Sequence, residues 1–455
     1  METSGEDVKR MMDDPRRAIR TMSVPLTVAV LISYIQNFVD TVWCSGLGSS
    51  AISAITLSGP TYWIIIDIGI GLGIGASTAI SRALGADDKE RANSLASQTL
   101  VLTLIVSVLS MIILFLLCDP VLRFVNDGGD ISLSRKYVIP YLFCIIPIVL
   151  HGVIVGMLRS EGASRKVLQL SIISTVLNLI IDPILIYPLG LGITGAAMAT
   201  CLSFIVTTCI GMYWYLTGSM YVKPRFKGFR IKTDEMKDIM YVGIPSMGEL
   251  LGLSILMIPQ NMLVFRTGGD AGVVLAMTPY KFIILTIMPA QGLAQAMLPV
   301  TSALQGAGRM KDAKDGFLYT IKLTTLICIA LSLFLIVFAD PLMYLFTYSD
   351  EMADLHDGLT RVLRMYGFIT LFAGLSETFS SVLQSLRKAM TATVMIIIRE
   401  LVFIAMYWYA STISMEAIYH SMVAGMFFGL LLMGVFASRA IMKMNTNCSQ
   451  QNISN

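Results

Sequence analysis

Charge is scarce in this sequence: Asp, Glu, Lys and Arg make up 14% of 455 residues, against 55% hydrophobic, where soluble domains carry about a quarter charged. Together with a mean hydropathy of +0.73, this excludes a soluble globular protein and makes the lipid bilayer the solvent. Histidine is scarce: His151, His356 and His420 are too scattered for a metal site. The seven cysteines show neither a C-x-x-C nor a Cys/His spacing, so they read as packing residues rather than zinc ligands or a disulfide framework. No G-x-x-x-x-G-K-[ST] loop occurs, which removes an ATPase motif and leaves an ion gradient as the energy source. No dense His, Cys or carboxylate constellation suggests a membrane-embedded enzyme. The net charge of +3 is no argument for a nucleic-acid partner, because in such a chain the placement of Lys and Arg carries the information.

What is there is long apolar runs. They predict spans near 20–44, 52–80, 95–118, 137–158, 167–188 and 193–216, then 238–265, 272–300, 316–338, 361–385, 390–410 and 416–440. Twelve spans at roughly 20 residues each, joined by short loops, leave no room for a soluble domain of normal size. The expected organisation is a tail over 1–19, a six-helix lobe over 20–216, a basic linker over 217–236, a second six-helix lobe over 237–441 and a tail over 442–455. The first twenty residues mix acids and bases and lack an apolar core with a cleavage site, so the first span is expected to act as the uncleaved insertion signal. Basic residues concentrate in the even-numbered loops, as at Arg82, Lys89 and Arg91 or Lys223 to Lys237. Both termini are therefore expected on the cytoplasmic side of the cell membrane.

The halves repeat. Val24-Pro25 returns as Ile244-Pro245, Gly85-Ala86 as Gly306-Ala307, Asp119-Pro120 as Asp340-Pro341, and Leu158-Arg159-Ser160 as Leu383-Gln384-Ser385. An even number of spans per half makes the repeat parallel, about an axis along the membrane normal, and suggests alternating access by rocking of the halves.

Ionisable groups inside spans are costly and mark ion or substrate paths. Asp40 lies about twenty residues into the first span, with Gln36 and Asn37 one turn before it. Asn178 and Asp182 are four apart in span 5, and Thr200 lies early in span 6. At 1.5 Å per residue Asp40, Asp182 and Thr200 fall in the outer half of the first lobe. Two carboxylates, an amide and a hydroxyl there suit a proton or Na+. Pro25 and Pro183 each remove a helix donor and free a carbonyl, that of Thr21 and of Leu179, for a bend or a cation. Asp67, Glu249, Lys281, Glu377 and the adjacent Arg399-Glu400 are further cavity or ion-pair candidates. The run Gly69-Ile70-Gly71-Leu72-Gly73-Ile74-Gly75 sits inside an apolar span with no strand before it, so it reads as close helix packing and not as a nucleotide loop.

These residues resemble a known family, the MATE multidrug and toxic compound extrusion transporters. Phe38-Val39-Asp40-Thr41 with Gly46-Leu47-Gly48, and Ser81-Arg82-Ala83-Leu84-Gly85-Ala86, look like the first two helix signatures. Glu161-Gly162-Ala163, Leu177 to Pro183 and Gly192-Ile193-Thr194-Gly195-Ala196-Ala197 are similar to its most recognisable segment, and Gly292 to Arg309 fits the second half. The resemblance implies an all-α membrane protein of twelve transmembrane helices in two pseudo-symmetric bundles, V-shaped, exchanging organic cations or amphipathic drugs for Na+ or H+. It is closest to the branch of DNA-damage-inducible and archaeal members, where Asp40, Asn178, Asp182 and Thr200 would form the cation or proton site and Pro25 a bend. No cofactor beyond the coupling ion is implied, and the expected partners are the bilayer and a small-molecule substrate bound by a monomer. The alternatives that share this architecture are a flippase for lipid-linked precursors or an exporter of a narrow metabolite range.

Overall fold

A computed structural model describes residues 4–125, 131–347 and 354–451. Among these every regular element is a helix, as a chain in hydrocarbon requires: helices alone satisfy each backbone N–H and C=O within one segment without closing a sheet. In chain order they are α1 (Ser4–Asp13), α2 (Pro15–Ser45), α3 (Ser49–Gly85), α4 (Lys89–Val125), α5 (Ser132–Phe143), α6 (Ile145–Ser160), α7 (Ser164–Ile186) and α8 (Gly192–Leu216). There follow α9 (Thr233–Gly306), α10 (Met310–Val337), α11 (Ala339–Tyr344), α12 (His356–Ser385), α13 (Ala389–Ser411) and α14 (Met415–Gln451).

Among the described residues, twelve helical stretches are long enough to cross a membrane. Ten helical stretches are long and apolar enough to cross a membrane, counting Thr233–Gly269 and Ala271–Gly306 of α9 separately. The eleventh is the pair α5 and α6, bent by 57°; the twelfth is α12, whose 30 residues suffice in length but which is more polar and turns many of them inward. The span expected near 137–158 is thus a bent pair of helices. Pro147 is the cause: its missing N–H would have bonded the carbonyl of Phe143, the last residue of α5, and the chain bends at Cys144 between them.

The 74 residues of α9 would measure about 110 Å as one rod. They do not: residues 239–247 lie against α3 at Gly71 and Gly75, and Ala303 and Gly306 return to the same helix at Arg82 and Gly85. The reversal is made at Gly269, whose φ of 58° and ψ of −154° belong to a region only glycine enters freely.

Contacts divide the chain into two compact units. Of the described residues, the first holds 4–14, 28–125, 131–251 and 302–309; the second holds 15–27, 252–301, 310–347 and 354–451. In the first, the glycine run of α3 serves two faces. Cβ atoms at Gly69 and Gly73 would meet the carbonyls of Val149 and Gly152 on α6 at 2.9 and 2.6 Å, and one at Gly71 would meet Met247 Cα at 2.5 Å. Gly152 and Gly156 return the contact from α6, so backbones touch directly, as lipid-embedded helices do when dispersion must replace the hydrophobic drive. In the second unit the core gathers around Tyr366, Ile283, Leu359, Leu363 and Ile369, all fully buried. Lipid-facing helices are apolar outward: Leu104, Leu109, Ile112 and Leu116 of α4 are exposed.

Candidate functional site

The first unit brings the predicted pair of acids together. Asp40, late in α2, and Asp182, late in α7, are close enough to interact with one another. Asp182 is fully buried, and neither of its oxygens, nor Asp40 Oδ1, finds a hydrogen-bond donor. One turn earlier on α7, Asn178 Nδ2 donates to Thr200 Oγ1 on α8 at 3.3 Å, and that hydroxyl donates to the carbonyl of Ala196 in its own helix. One turn before Asp40, Gln36 Oε1 accepts from Thr175 Oγ1 at 3.0 Å. Two turns of α2, at Gln36 and Asp40, thus meet α7 at Thr175 and Asp182, while Asn178 between them turns to α8. Tyr187 Oη donates to the carbonyl of Trp43 at 2.7 Å, clamping the ends of the same two helices.

Around the pair stand Cys44, Tyr62 and Tyr137, all within electrostatic range of Asp40. Tyr62, Tyr137 and Tyr141 stack at centroid distances of 4.9 and 5.2 Å. No arginine or lysine contacts either acid among the described residues. A buried carboxyl pair without a base has to take up a proton or a cation, since two adjacent negative charges are not tolerated in a medium of low dielectric constant. The available donors, carboxylate, amide carbonyl and hydroxyl, are all hard oxygens, which suits H+ or Na+ and not a soft metal.

Other predicted residues lie elsewhere. Asn37 turns back on its own helix, donating to the carbonyl of Ser33 at 3.0 Å. Asp67 and Glu249 are buried in the first unit. Pro183 follows Asp182 directly and accepts the cap from Tyr187 N–H at 3.1 Å. Pro25 belongs to the second unit, as do Lys281 and Glu377, both exposed. Lys281 Nζ lies 5.9 Å from the ring centre of Phe346. The second unit has its own buried ion pair: Arg399 Nε donates to Glu400 Oε1 at 3.0 Å, Gln260 Nε2 donates to Glu400 Oε2 at 2.7 Å, and Glu377 is within electrostatic range of Arg399.

One functional candidate escaped the sequence reading as a site residue. Glu161, in the turn between α6 and α7, is 1% exposed and its Oε2 accepts from the backbone N–H groups of Tyr221 and Val222 at 2.8 and 3.1 Å. Burial pushes its carboxyl up to about 7, against the hydrogen bonds from Val222 and Tyr221. An acid between Ser160 and Gly162 was visible, but nothing local told that it ties down a segment sixty residues on.

The MatE family model matches residues 25–184 and 245–409, one stretch in each half. The chain belongs to the MatE family. It is a multi-pass membrane transporter and not an enzyme. Among its relatives is the multidrug export protein MepA of Staphylococcus aureus strain MRSA252, 25% identical over 395 residues, 85% of each chain. A crystal structure of MATE in complex with MaL6 superposes with a TM-score of 0.91 at 29% identity, covering 96% of this chain and 99% of that one. A MOP-superfamily transporter from Pyrococcus furiosus, whose binding pocket of reverse polarity is said to suggest a different function, gives 0.91 and 29% over 98% and 100% of the two chains. This MatE member thus shares the fold over almost its whole length.

Proposed function

We propose that this protein is a multidrug exporter of the cell membrane, acting as a monomer with both termini in the cytoplasm, that releases amphipathic, preferentially cationic drugs in exchange for protons. The observation that carries the reading is the Asp40–Asp182 pair: two interacting carboxyls in one helix bundle with no base against them among the described residues. Two interacting buried carboxyls suit a shared proton, with Na+ as the other ion the oxygen donors accept. Loading the pair with one proton leaves a single negative charge and unloading restores two, so the two states favour different packings of α2 and α7. That difference is what alternating access needs, because a coupling ion shifts an equilibrium only by its differential affinity for the two conformations. The same negative charge favours a cationic cargo, and the export of many drugs by MepA supports a broad substrate range.

The flippase reading has less behind it. A pyrophosphate headgroup needs unmatched cations, and the charge of Arg399 is already matched by Glu400. The test is ethidium efflux from proteoliposomes under an imposed pH gradient and, separately, a Na+ gradient. Wild type is expected to respond to the pH gradient, and Asp182→Asn and Asp40→Asn to fold but lose gradient-driven efflux. A response to Na+ alone would transfer the assignment to that ion. Wild-type efflux from either mutant would refute the site.

A further inference from the structure

The connection between α8 and α9, Thr217–Lys232, is a fastened strap. Asn93 Oδ1 accepts from Lys223 N–H at 2.7 Å, Ser97 Oγ accepts from Arg225 N–H at 2.8 Å, and Gln98 Nε2 donates to the carbonyl of Arg230 at 2.7 Å. Glu161 holds the start of the strap at Tyr221 and Val222. Its tip is the turn Phe226-Lys227-Gly228-Phe229, closed by Phe229 N–H to the carbonyl of Phe226 at 3.1 Å, with Gly228 at φ +73° in the third position.

Two features of this strap point to a ligand. The first is unmatched charge. Lys232 is paired with Glu235 at 2.9 Å and the neighbouring Arg91 with Asp238 at 3.2 Å, whereas the exposed Lys223, Arg225, Lys227 and Arg230 meet no carboxylate among the described residues. The second is that large apolar side chains stand exposed among those cations, Phe226 at 46% and Ile231 at 63%. Depth follows from the anchor points. Residues 93–98 of α4 precede its apolar stretch at Leu100 by two to seven residues, about 3–10 Å. The strap leaves α8 beside the exposed Tyr213 and Leu216, an aromatic and an apolar residue at the height where membrane interfaces lie. A solvated loop has no need of this fastening, nor of exposed phenylalanine and isoleucine.

We propose that the strap is a binding surface for anionic phospholipid headgroups, with Lys223, Arg225, Lys227 and Arg230 meeting the phosphates and Phe226 and Ile231 entering the interface. A juxtamembrane cation near an anionic surface contributes roughly a fivefold preference at moderate salt, and several held in fixed positions act together. Anionic lipid would thereby hold the strap in place on α4.

The test uses full-length Phe226→Trp in liposomes of phosphatidylcholine and phosphatidylglycerol, with bromine on the acyl chains of one lipid or the other at equal mole fraction. Quenching is read as the difference from the parent protein. Brominated phosphatidylglycerol is expected to quench several-fold more strongly than brominated phosphatidylcholine, and the preference is expected to vanish in Arg225→Gln/Lys227→Gln/Arg230→Gln and in high salt. Equal quenching by the two lipids, or none by either, overturns the proposal. So does loss of the preference on adding inorganic phosphate but not chloride of equal ionic strength, which would make free phosphate the ligand. If Phe226→Trp fails to fold, Ile231→Trp supplies the same reading from the other exposed apolar position.

Discussion

Raising the pH should loosen the strap where Glu161 holds it. The carboxyl is almost fully buried and its titration is moved from 4.5 to about 7, with burial as the largest cause. A group raised in the closed state stabilises that state fully below its open-state value, and the contribution is lost as pH climbs through the raised one. Between pH ~5.5 and ~8.5 the loss amounts to about 2 kcal/mol, at about 1.4 kcal/mol per unit, or roughly thirtyfold in the opening equilibrium. The assay is amide hydrogen exchange at Tyr221 and Val222 in proteoliposomes, corrected for the base catalysis of exchange itself. Protection should fall by about that factor over the window, and Glu161→Gln, which cannot ionise, should show a flat profile. The reasoning fails if the glutamine variant keeps the slope. It also fails if wild-type protection rises with pH, which would mean that the ionised carboxylate gains more from the two amides than it loses to burial.

Two further predictions concern packing. Gly156→Ala places a methyl against the backbone of Gly73 and should cost about 1–3 kcal/mol, a clear drop in melting temperature by scanning fluorimetry. Gly59→Ala, whose Cβ meets nothing within 4 Å, should be neutral or stabilising, and equal behaviour of the two would contradict direct backbone contact between α3 and α6. Arg399→Met leaves Glu400 buried without its arginine and should cost about 3–5 kcal/mol, while Arg399→Met/Glu400→Met should recover most of it. An additive double variant would show that the pair is not coupled.

Span count was legible because hydrocarbon punishes polar backbone uniformly, so apolar runs and helices coincide. The bend at Cys144 was carried by Pro147, yet a proline within an apolar run reads equally as a tolerated kink, and only neighbouring helices decide how far the chain turns. For the site, the spacing of Gln36 with Asp40 and of Asn178 with Asp182 told which residues share a face. It could not tell that α2 and α7 turn those faces toward each other, because that depends on contacts among helices far apart in sequence. Asn37, adjacent to Gln36, shows the limit: one residue's rotation about the helix axis sends its amide back to Ser33. The pairing of Arg399 with Glu400 was open from adjacency alone, since neighbours in a helix point about 100° apart and only a long side chain curls back.

The two-faced glycine ladder of α3 has a mechanical consequence. Side chains between helices act like bearings, because rotamers can slip past one another while backbones travel. Along Gly69, Gly71, Gly73 and Gly75 those bearings are missing on both sides. Neither α6 nor the opening turns of α9 can slide against α3 without one carbonyl riding over another. During a transport cycle these three helices should therefore travel as one stiff keel, and the bending has to be taken up where prolines and side-chain contacts leave play.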